Sequence, residues 1–295
     1  MSSVVNCGFR IRRMTDADLA RVMELRAVVR WATEPEAFKL LRGMRDARWA
    51  VAEDVEGRIR GMVGAVPLGD IGILCHLAVH EEHRRRGLGA RLASWAVAYL
   101  KSRGAKTVRL YTTPQAEGLY RTIGFEPGEF RTVYRLEKES NRGWSSNETG
   151  GYRIETLLAG DLPELYGVDR WSYGADRSHI IFATLRLHPG LGLVARDSSG
   201  RMKGYLIRSS SHGATRIGPF VAENNIVARL LLARAIETGD MPVRLTVPGE
   251  SPAHEILREF GFSGHADRLR MEMGDVGLPK PRGLDHYATT AYLAT

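Results

Sequence analysis

Between Phe9 and Met14 apolar and polar residues alternate, the period of a short strand with one face covered. Thr15-Asp16-Ala17-Asp18 then offers the side-chain oxygens that cap a helix start, and Leu19, Val22, Met23 and Leu25 recur near one face behind it. Helical pattern resumes from about Glu34 to Met44. Trp49–Glu53 and Gly61–Val66 read as two strands, joined as a hairpin through the Glu56-Gly57 turn.

An apolar run from Ile71 to Val79 follows, then the basic turn Arg84-Arg85-Arg86-Gly87-Leu88-Gly89-Ala90 and a helix pattern to about Arg103. Thr107–Thr112 is again strand-like and leads into Ala116–Phe125, and Arg131–Glu137 alternates as a closing strand. Strand, glycine turn and helix start make a cradle for an anion. Backbone N–H groups freed by the glycines and by the first helical turn point outward, and the helix dipole favours negative charge there. The second strand and Tyr120 complete a wedge beside it.

The pattern then restarts. Residues 141–151 are polar and rich in Gly and Ser, the composition of a linker. Tyr152-Arg153-Ile154-Glu155 repeats Phe9-Arg10-Ile11-Arg12, and Ala195, Gly200 and Gly204 follow Ala52, Gly57 and Gly61 at one constant spacing of 143. One register kept across a whole hairpin marks a tandem duplication. The second copy lacks the cradle: Glu223-Asn224-Asn225-Ile226-Val227-Ala228-Arg229 stands in its place, without glycine and with a carboxylate that repels phosphate. Leu257 holds the position of Tyr120, four residues before the Gly261-Phe262 that repeats Gly124-Phe125. Residues 274–284 form a Gly/Pro loop, and Asp285 to Thr295 supplies a last strand or a tail.

Composition narrows the classes without choosing among them. A hydrophobic content of 43% and a charged content of 26% suit a soluble globular chain whose 295 residues divide into two domains. No apolar run approaches the roughly 20 residues that span a bilayer. The N-terminus shows no signal-peptide pattern, so a cytoplasmic location is expected. Two cysteines, Cys7 and Cys75, are too few for a disulfide framework or a thiolate metal site, and no metal is expected. Of the net charge of +8, residues 1–148 carry +7, which suits an anionic ligand on the first half. The basic residues are scattered singly without interleaved aromatics, so nucleic acid is not the expected partner.

The stretch from His76 to Gly124 resembles the GNAT superfamily of N-acetyltransferases. Leu77-Ala78-Val79 followed by Arg84-Arg85-Arg86-Gly87-Leu88-Gly89-Ala90 is similar to that family's cofactor motif, Gln/Arg-x-x-Gly-x-Gly/Ala. Tyr120 four residues before Gly124-Phe125 is similar to its second signature. The resemblance covers residues 9 to about 137, and 152 to 273 as a degenerate copy. It implies an α/β (α+β) fold of two tandem GNAT-like domains, each a mixed, mostly antiparallel twisted sheet flanked by helices. The first domain would span residues 1–140, the linker 141–151 and the degenerate domain 152–295, the last serving as acceptor-site wall or scaffold.

The implied activity is transfer of an acetyl group from acetyl-CoA directly to a primary amine of a small molecule or peptide. Leu77, Ala78 and Val79 would lend backbone groups to the amide-rich cofactor arm, as an added strand does. Arg84, Arg85, Arg86, Gly87, Leu88, Gly89 and Ala90 would hold the pyrophosphate, and Tyr120 would protonate the departing thiolate. Two positions depart from the family. Thr113 stands where Asn is common and keeps a hydroxyl for the cofactor amides. The general base is missing from its usual places, which hold Cys75 and Ile73, and strict alternation turns His76 to the opposite face. Asp70, Glu34, Glu36 or a water chain remain as bases. The competing reading is an acyl-CoA-binding sensor or interaction protein without catalysis.

Overall fold

The computed structural model describes residues 5–6, 8–29, 31, 38, 42–44, 46–138, 150–211, 213–275 and 285–288. Glu34, Glu36, most of the expected helix around them and most of the linker lie outside the described residues. The chain forms two compact units, residues 1–128 with 270–276 and residues 129–269 with 277–294.

In the first unit β1 (Val5–Asn6), β2 (Phe9–Arg13), β3 (Arg48–Asp54), β4 (Ile59–Leu68) and β5 (Ile71–Val79) lie side by side in chain order, each antiparallel to the last. Helix α1 (Leu19–Val28) links β2 towards β3. After β5 the chain crosses over through α2 (Leu88–Ser102), so β6 (Thr107–Thr112) joins β5 parallel, the geometry that needs a long connection. Leu88, Leu92, Ala93, Ala96 and Leu100 form the buried stripe of α2. The sheet leaves room for that stripe: a Cβ on Gly61 would lie 2.7 Å from the Leu92 side chain. Helix α3 (Glu117–Arg121) follows β6 and carries Tyr120.

Strand β7 (Glu126–Leu136) corrects one expectation. It does not close the first copy: from Thr132 to Leu136 it pairs with a strand of the second unit. Alternation specifies a strand and its faces but not which neighbour it takes.

The second unit repeats the design with β8 (Arg153–Thr156), α4 (Leu162–Tyr173), α5 (Ser178–Leu187), β9 (Gly192–Arg196), β10 (Met202–Ser211), β11 (Ala214–Ala222), α6 (Asn225–Glu237), β12 (Val243–Val247) and α7 (Ala253–Glu259). Its sheet order is β7-β12-β11-β10-β9-β8. The end of β13 (Ser263–Gly274) returns to the first unit beside β6, where Arg109 Nε meets Glu272 Oε1 at 2.5 Å. The final strand β14 (Asp285–Ala288) pairs with β11. The duplication is visible in the register. Ile11, Ala52, Gly61 and Val79 form one row across the first sheet, and Ile154, Ala195, Gly204 and Ala222, each 143 positions later, form the same row across the second.

A charged cluster at the outer strands of each sheet also repeats, with the sign inverted at three of its four positions while Asp18 recurs as Asp161. In the first unit the Arg12 guanidinium donates to both oxygens of Asp18, at 2.7 and 2.8 Å, and to Glu53 at 2.9 Å, while Arg21 donates to Asp18 at 2.6 Å. Hydrogen bonds from Arg12 hold the Asp18 carboxyl well below the usual carboxylate range. In the second unit Glu155, Arg196 and Glu164 stand 143 positions after Arg12, Glu53 and Arg21. Arg196 now holds Asp161 at 2.5 Å, Glu164 at 3.1 Å and Glu155 at 3.5 Å. One cation among three anions replaces two cations around two anions.

Candidate active site

The site begins where two parallel strands part. Strands β5 and β6 pair only from Ile71 to Ile73 against Thr107 to Arg109. Beyond that point the outer edge of β5, including Leu77, Ala78 and Val79, has no strand partner among the described residues. Such an edge is a row of main-chain donors and acceptors waiting for an extended ligand.

Within the same stretch β5 carries a bulge. Met62 faces Ala78 but Gly64 faces Cys75, so β5 has one residue more than β4 here. His76 takes up the excess with φ +51°, in the left-handed region that a non-glycine residue seldom occupies. The bulge overturns the expectation from strict alternation. Cys75 and His76 both come under the influence of Arg26 on α1: Arg26 Nη1 donates to His76 Nδ1 at 3.0 Å, and the Arg26 charge acts on the Cys75 thiol. The His76 ring packs edge-on against Trp31 at 5.8 Å between centroids, and lies 5.3 Å from Trp49.

This geometry decides what the two residues can do. A guanidinium only donates, so Nδ1 of His76 accepts and the ring proton resides on Nε2. His76 therefore engages Arg26 through Nδ1 and offers Nε2–H as a donor. Burial pushes the Cys75 thiol up to about 12, with Arg26 opposing, so it remains a neutral thiol. Asp70 sits at the opposite end of β5 from Val79, exposed and ion-paired with Lys106 at 2.9 Å. Arg26 itself was not singled out by the sequence reading. Its signal is its place on the buried face of α1 with Val22 and Leu25.

After Val79 the chain forms the predicted turn. Arg85 and Gly87 both have positive φ, +59° and +75°, which tilts successive N–H groups to one side as an anion nest. Gly87 is the N-cap of α2 and makes no side-chain cap, so the first turn of the helix keeps its N–H groups open. Nothing lies within 4 Å of a Cβ built on Gly87. The three arginines differ in role. Arg84 Nε donates to the Val79 carbonyl at 3.0 Å and pins the loop to the strand end, whereas Arg85 and Arg86 stand exposed beside the nest. The Leu88 side chain is core, so it can offer only its backbone. Gly89 has a packing reason of its own, because a Cβ there would meet Leu119 at 3.4 Å. Ala90 lies in the same open first turn.

On the far side of the wedge Thr113 begins the turn that leads to α3, its carbonyl accepting from the Ala116 N–H at 3.0 Å. Tyr120 is buried, 6% exposed, and packs edge-on against Phe125 with centroids 5.9 Å apart. Burial, then the neighbouring Cys75, pushes its hydroxyl well above the usual phenol range. The group stays protonated and can only be a hydrogen-bond donor or acceptor, never a standing anion. His80, Glu82 and His83 bring three potential metal-ligand atoms within 4.8 Å of one another near the start of the loop. Burial and the charges of Arg60 and Arg86 lower the His83 pKa, and the same charges oppose a cation there.

The corresponding features of the second unit are closed. Two residues, Glu223 and Asn224, connect β11 to α6, and the Asn224 side chain accepts the Val227 N–H at 3.0 Å, capping the helix itself. Glu223 is tied to Lys203 at 2.9 Å.

Comparison with known proteins agrees with this geometry. The profile of the Acetyltransferase (GNAT) family matches residues 19–125, and that of an Acetyltransferase (GNAT) domain matches residues 166–284. The chain is 23% identical over 228 residues to the uncharacterized N-acetyltransferase YitH of Bacillus subtilis (strain 168), covering 77% of this chain and 78% of that one. Among solved structures, a proposed acetyltransferase of Pyrococcus horikoshii superposes with a TM-score of 0.80 at 20% identity, over 100% of this chain and 99% of that chain. A tandem GNAT protein from the clavulanic acid biosynthesis pathway superposes with a TM-score of 0.67 at 15% identity, over 90% and 98%.

Proposed function

Because the chain belongs to the GNAT acetyltransferase family, as a tandem pair of its domains, we propose that the first unit acetylates a primary amine of a small molecule or peptide with acetyl-CoA. Bound acetyl-CoA supplies the acetyl group as an activated thioester. The open edge at Leu77–Val79 pairs with the amides of the cofactor arm. The nest at Arg85–Gly87 and the uncapped turn Leu88–Ala90 receive the pyrophosphate, with Arg85 and Arg86 supplying charge and Arg84 holding the loop in place. Thr113 offers its hydroxyl from the opposite wall.

Tyr120 donates a hydrogen bond to the leaving sulfur as negative charge gathers there, an interaction that grows towards the transition state. The main-chain N–H groups of the bulge stand beside the wedge and polarise the thioester oxygen. Since Cys75 stays a neutral thiol and Nδ1 of His76 is taken by Arg26, the amine enters as its free base or loses its proton to water.

The observation that carries this reading is the uncapped N-terminus of α2 next to an unpaired β5 edge, with both features closed in the second unit. Titration calorimetry with acetyl-CoA, followed by a CoA-release screen over diverse amines, tests it. The base-free bulge favours a second reading, an acyl-CoA-binding sensor. Binding of one acetyl-CoA with no CoA release from any amine selects the sensor, and release with one amine removes it.

A further inference from the structure

Strand β14 runs antiparallel along the outer edge of β11, Phe220 facing Ala288, Val221 facing His286 and Ala222 facing Asp285. Phe220, Val221 and Ala222 stand 143 positions after Leu77, Ala78 and Val79. The match extends to the neighbouring geometry. Strands β11 and β12 pair in parallel only from Thr215 to Ile217 and then part, as β5 and β6 do, and β14 lies against both β12 and α4 in the opening. A bulge precedes the edge here too: Leu206 faces Phe220 but Arg208 faces Ile217, with the excess at Gly218-Pro219, the counterparts of Cys75-His76.

We propose that this edge of β11 is a binding groove for an extended peptide main chain, and that its resident ligand is the chain's own C-terminal strand. The likeness to the cofactor arm on β5 rests on the functional reading above; the occupancy of β11 does not. The physical need is plain. Unpaired N–H and C=O groups inside a wedge must be satisfied, and an extended chain bearing amides is what satisfies them. In the first unit a ligand that carries amides can come and go, because the nest and open helix end hold its anionic part. The second unit has neither, so no such ligand is retained, and a tethered peptide at high effective concentration fills the groove instead. The second unit is thereby completed from within.

Hydrogen exchange read by mass spectrometry on the intact chain tests this. The His80 and Glu223 N–H groups donate to Arg60 and Lys203 on the inner neighbour strands, so by alternation the outward amides are those of Leu77 and Val79 and of Phe220 and Ala222. Without ligand, the amides of Phe220, Ala222 and 285–288 should be protected together, while those of Leu77 and Val79 exchange fast. Acetyl-CoA should protect Leu77 and Val79 and leave Phe220 and Ala222 unchanged. In full-length His286→Pro, and in a chain ending at Gly283, exchange at Phe220 and Ala222 should rise by about tenfold or more. A synthetic peptide of residues 284–295 added to the shortened chain should restore the protection. Rapid exchange at 285–288 in the intact chain, or unchanged exchange at Phe220 and Ala222 in both variants, overturns the proposal. If acetyl-CoA leaves Leu77 and Val79 unprotected, the cofactor reading fails and the assignment of β14 stands.

Discussion

Helices α2 and α6 occupy the same place in their two units, and they begin in opposite ways. Eight residues, His80 to Gly87, lead into α2 and leave its first N–H groups without a side-chain cap. Two residues lead into α6, and Asn224 caps it. An uncapped helix start is less stable by about 1 kcal/mol. The first unit keeps that deficit where an anion can offset it; the second removes it with its own side chain. The same contrast runs through the wedge. Among the described residues one β-edge has no strand beside it and the other carries β14; one bulge has an N–H on His76 and the other has Pro219, which has none. Function in this duplicated chain is read from what one copy leaves unsatisfied.

Breaking the comparison at its chemical centre should give the largest effect. The turns Tyr120–Phe125 and Leu257–Phe262 are built alike, with Phe N–H to Tyr120 or Leu257 carbonyl hydrogen bonds of 3.0 and 2.9 Å, so only the side chain distinguishes them. Tyr120→Phe is expected to lower kcat by about 10²–10³-fold with acetyl-CoA affinity unchanged by calorimetry. Because the phenol pKa is raised, Tyr120 stays protonated through the range below its ordinary value. The wild-type pH–rate profile should then rise only with the free-base fraction of the amine, and an added inflection that vanishes in Tyr120→Phe would contradict this role.

Next comes stability. Asp18 is 1% exposed and accepts from Arg12, Arg21 and the Thr15 N–H, so Asp18→Ala should destabilise the first unit by about 3 kcal/mol, seen as a lowered denaturation midpoint. Its folded pKa lies below the unfolded value of about 3.9, so the stabilisation is present above roughly pH 4 and is lost as the pH falls through the folded value. Acid titration of wild type against the variant reads the difference. A smaller effect is expected from Gly87→Asp, which places a carboxylate at the nest: acetyl-CoA affinity should weaken by about tenfold, equivalent to 1.4 kcal/mol. The smallest is Asn224→Ala, which should cost the second unit about 1 kcal/mol while acetyl-CoA still binds once per chain. Binding of two would end the asymmetry between the units.

Much of this was legible in the sequence because it is local. Periodicity located the hairpin, the crossover helix and the restart after the linker, and constant spacing exposed the duplication. The glycine turn and Tyr120 stood out as chemistry because the second copy lacks them. The partners of strands were not legible. Arg131–Glu137 alternates properly for a closing strand, yet β7 joins the second unit and the end of β13 the first. The bulge was missed because a one-residue slip leaves no mark in an all-apolar run, and it reversed the placement of His76. A clue was present 143 positions on, where Gly218-Pro219 interrupts a strand at the matching place. Arg26 was missed because a cation on a helix reads as solvated until its neighbours are known.

The inverted charges at the outer strands carry a last consequence, for how such a chain finds its native pairing. Two similar halves emerging in succession invite strands of one to dock in the sheet of the other. If β2 paired with β9 in place of β3 at the same register, Arg10 would stand opposite Arg196 with Arg12 diagonal to it, where in the native sheet Glu53 holds that place. That mismatch sets like charges where the first sheet sets opposite ones, and like charges at such positions are destabilising. The sign carried at Glu53, and reversed at Arg196, thus marks β3 as the partner of β2, so that a duplicated sequence can sort this strand while it folds.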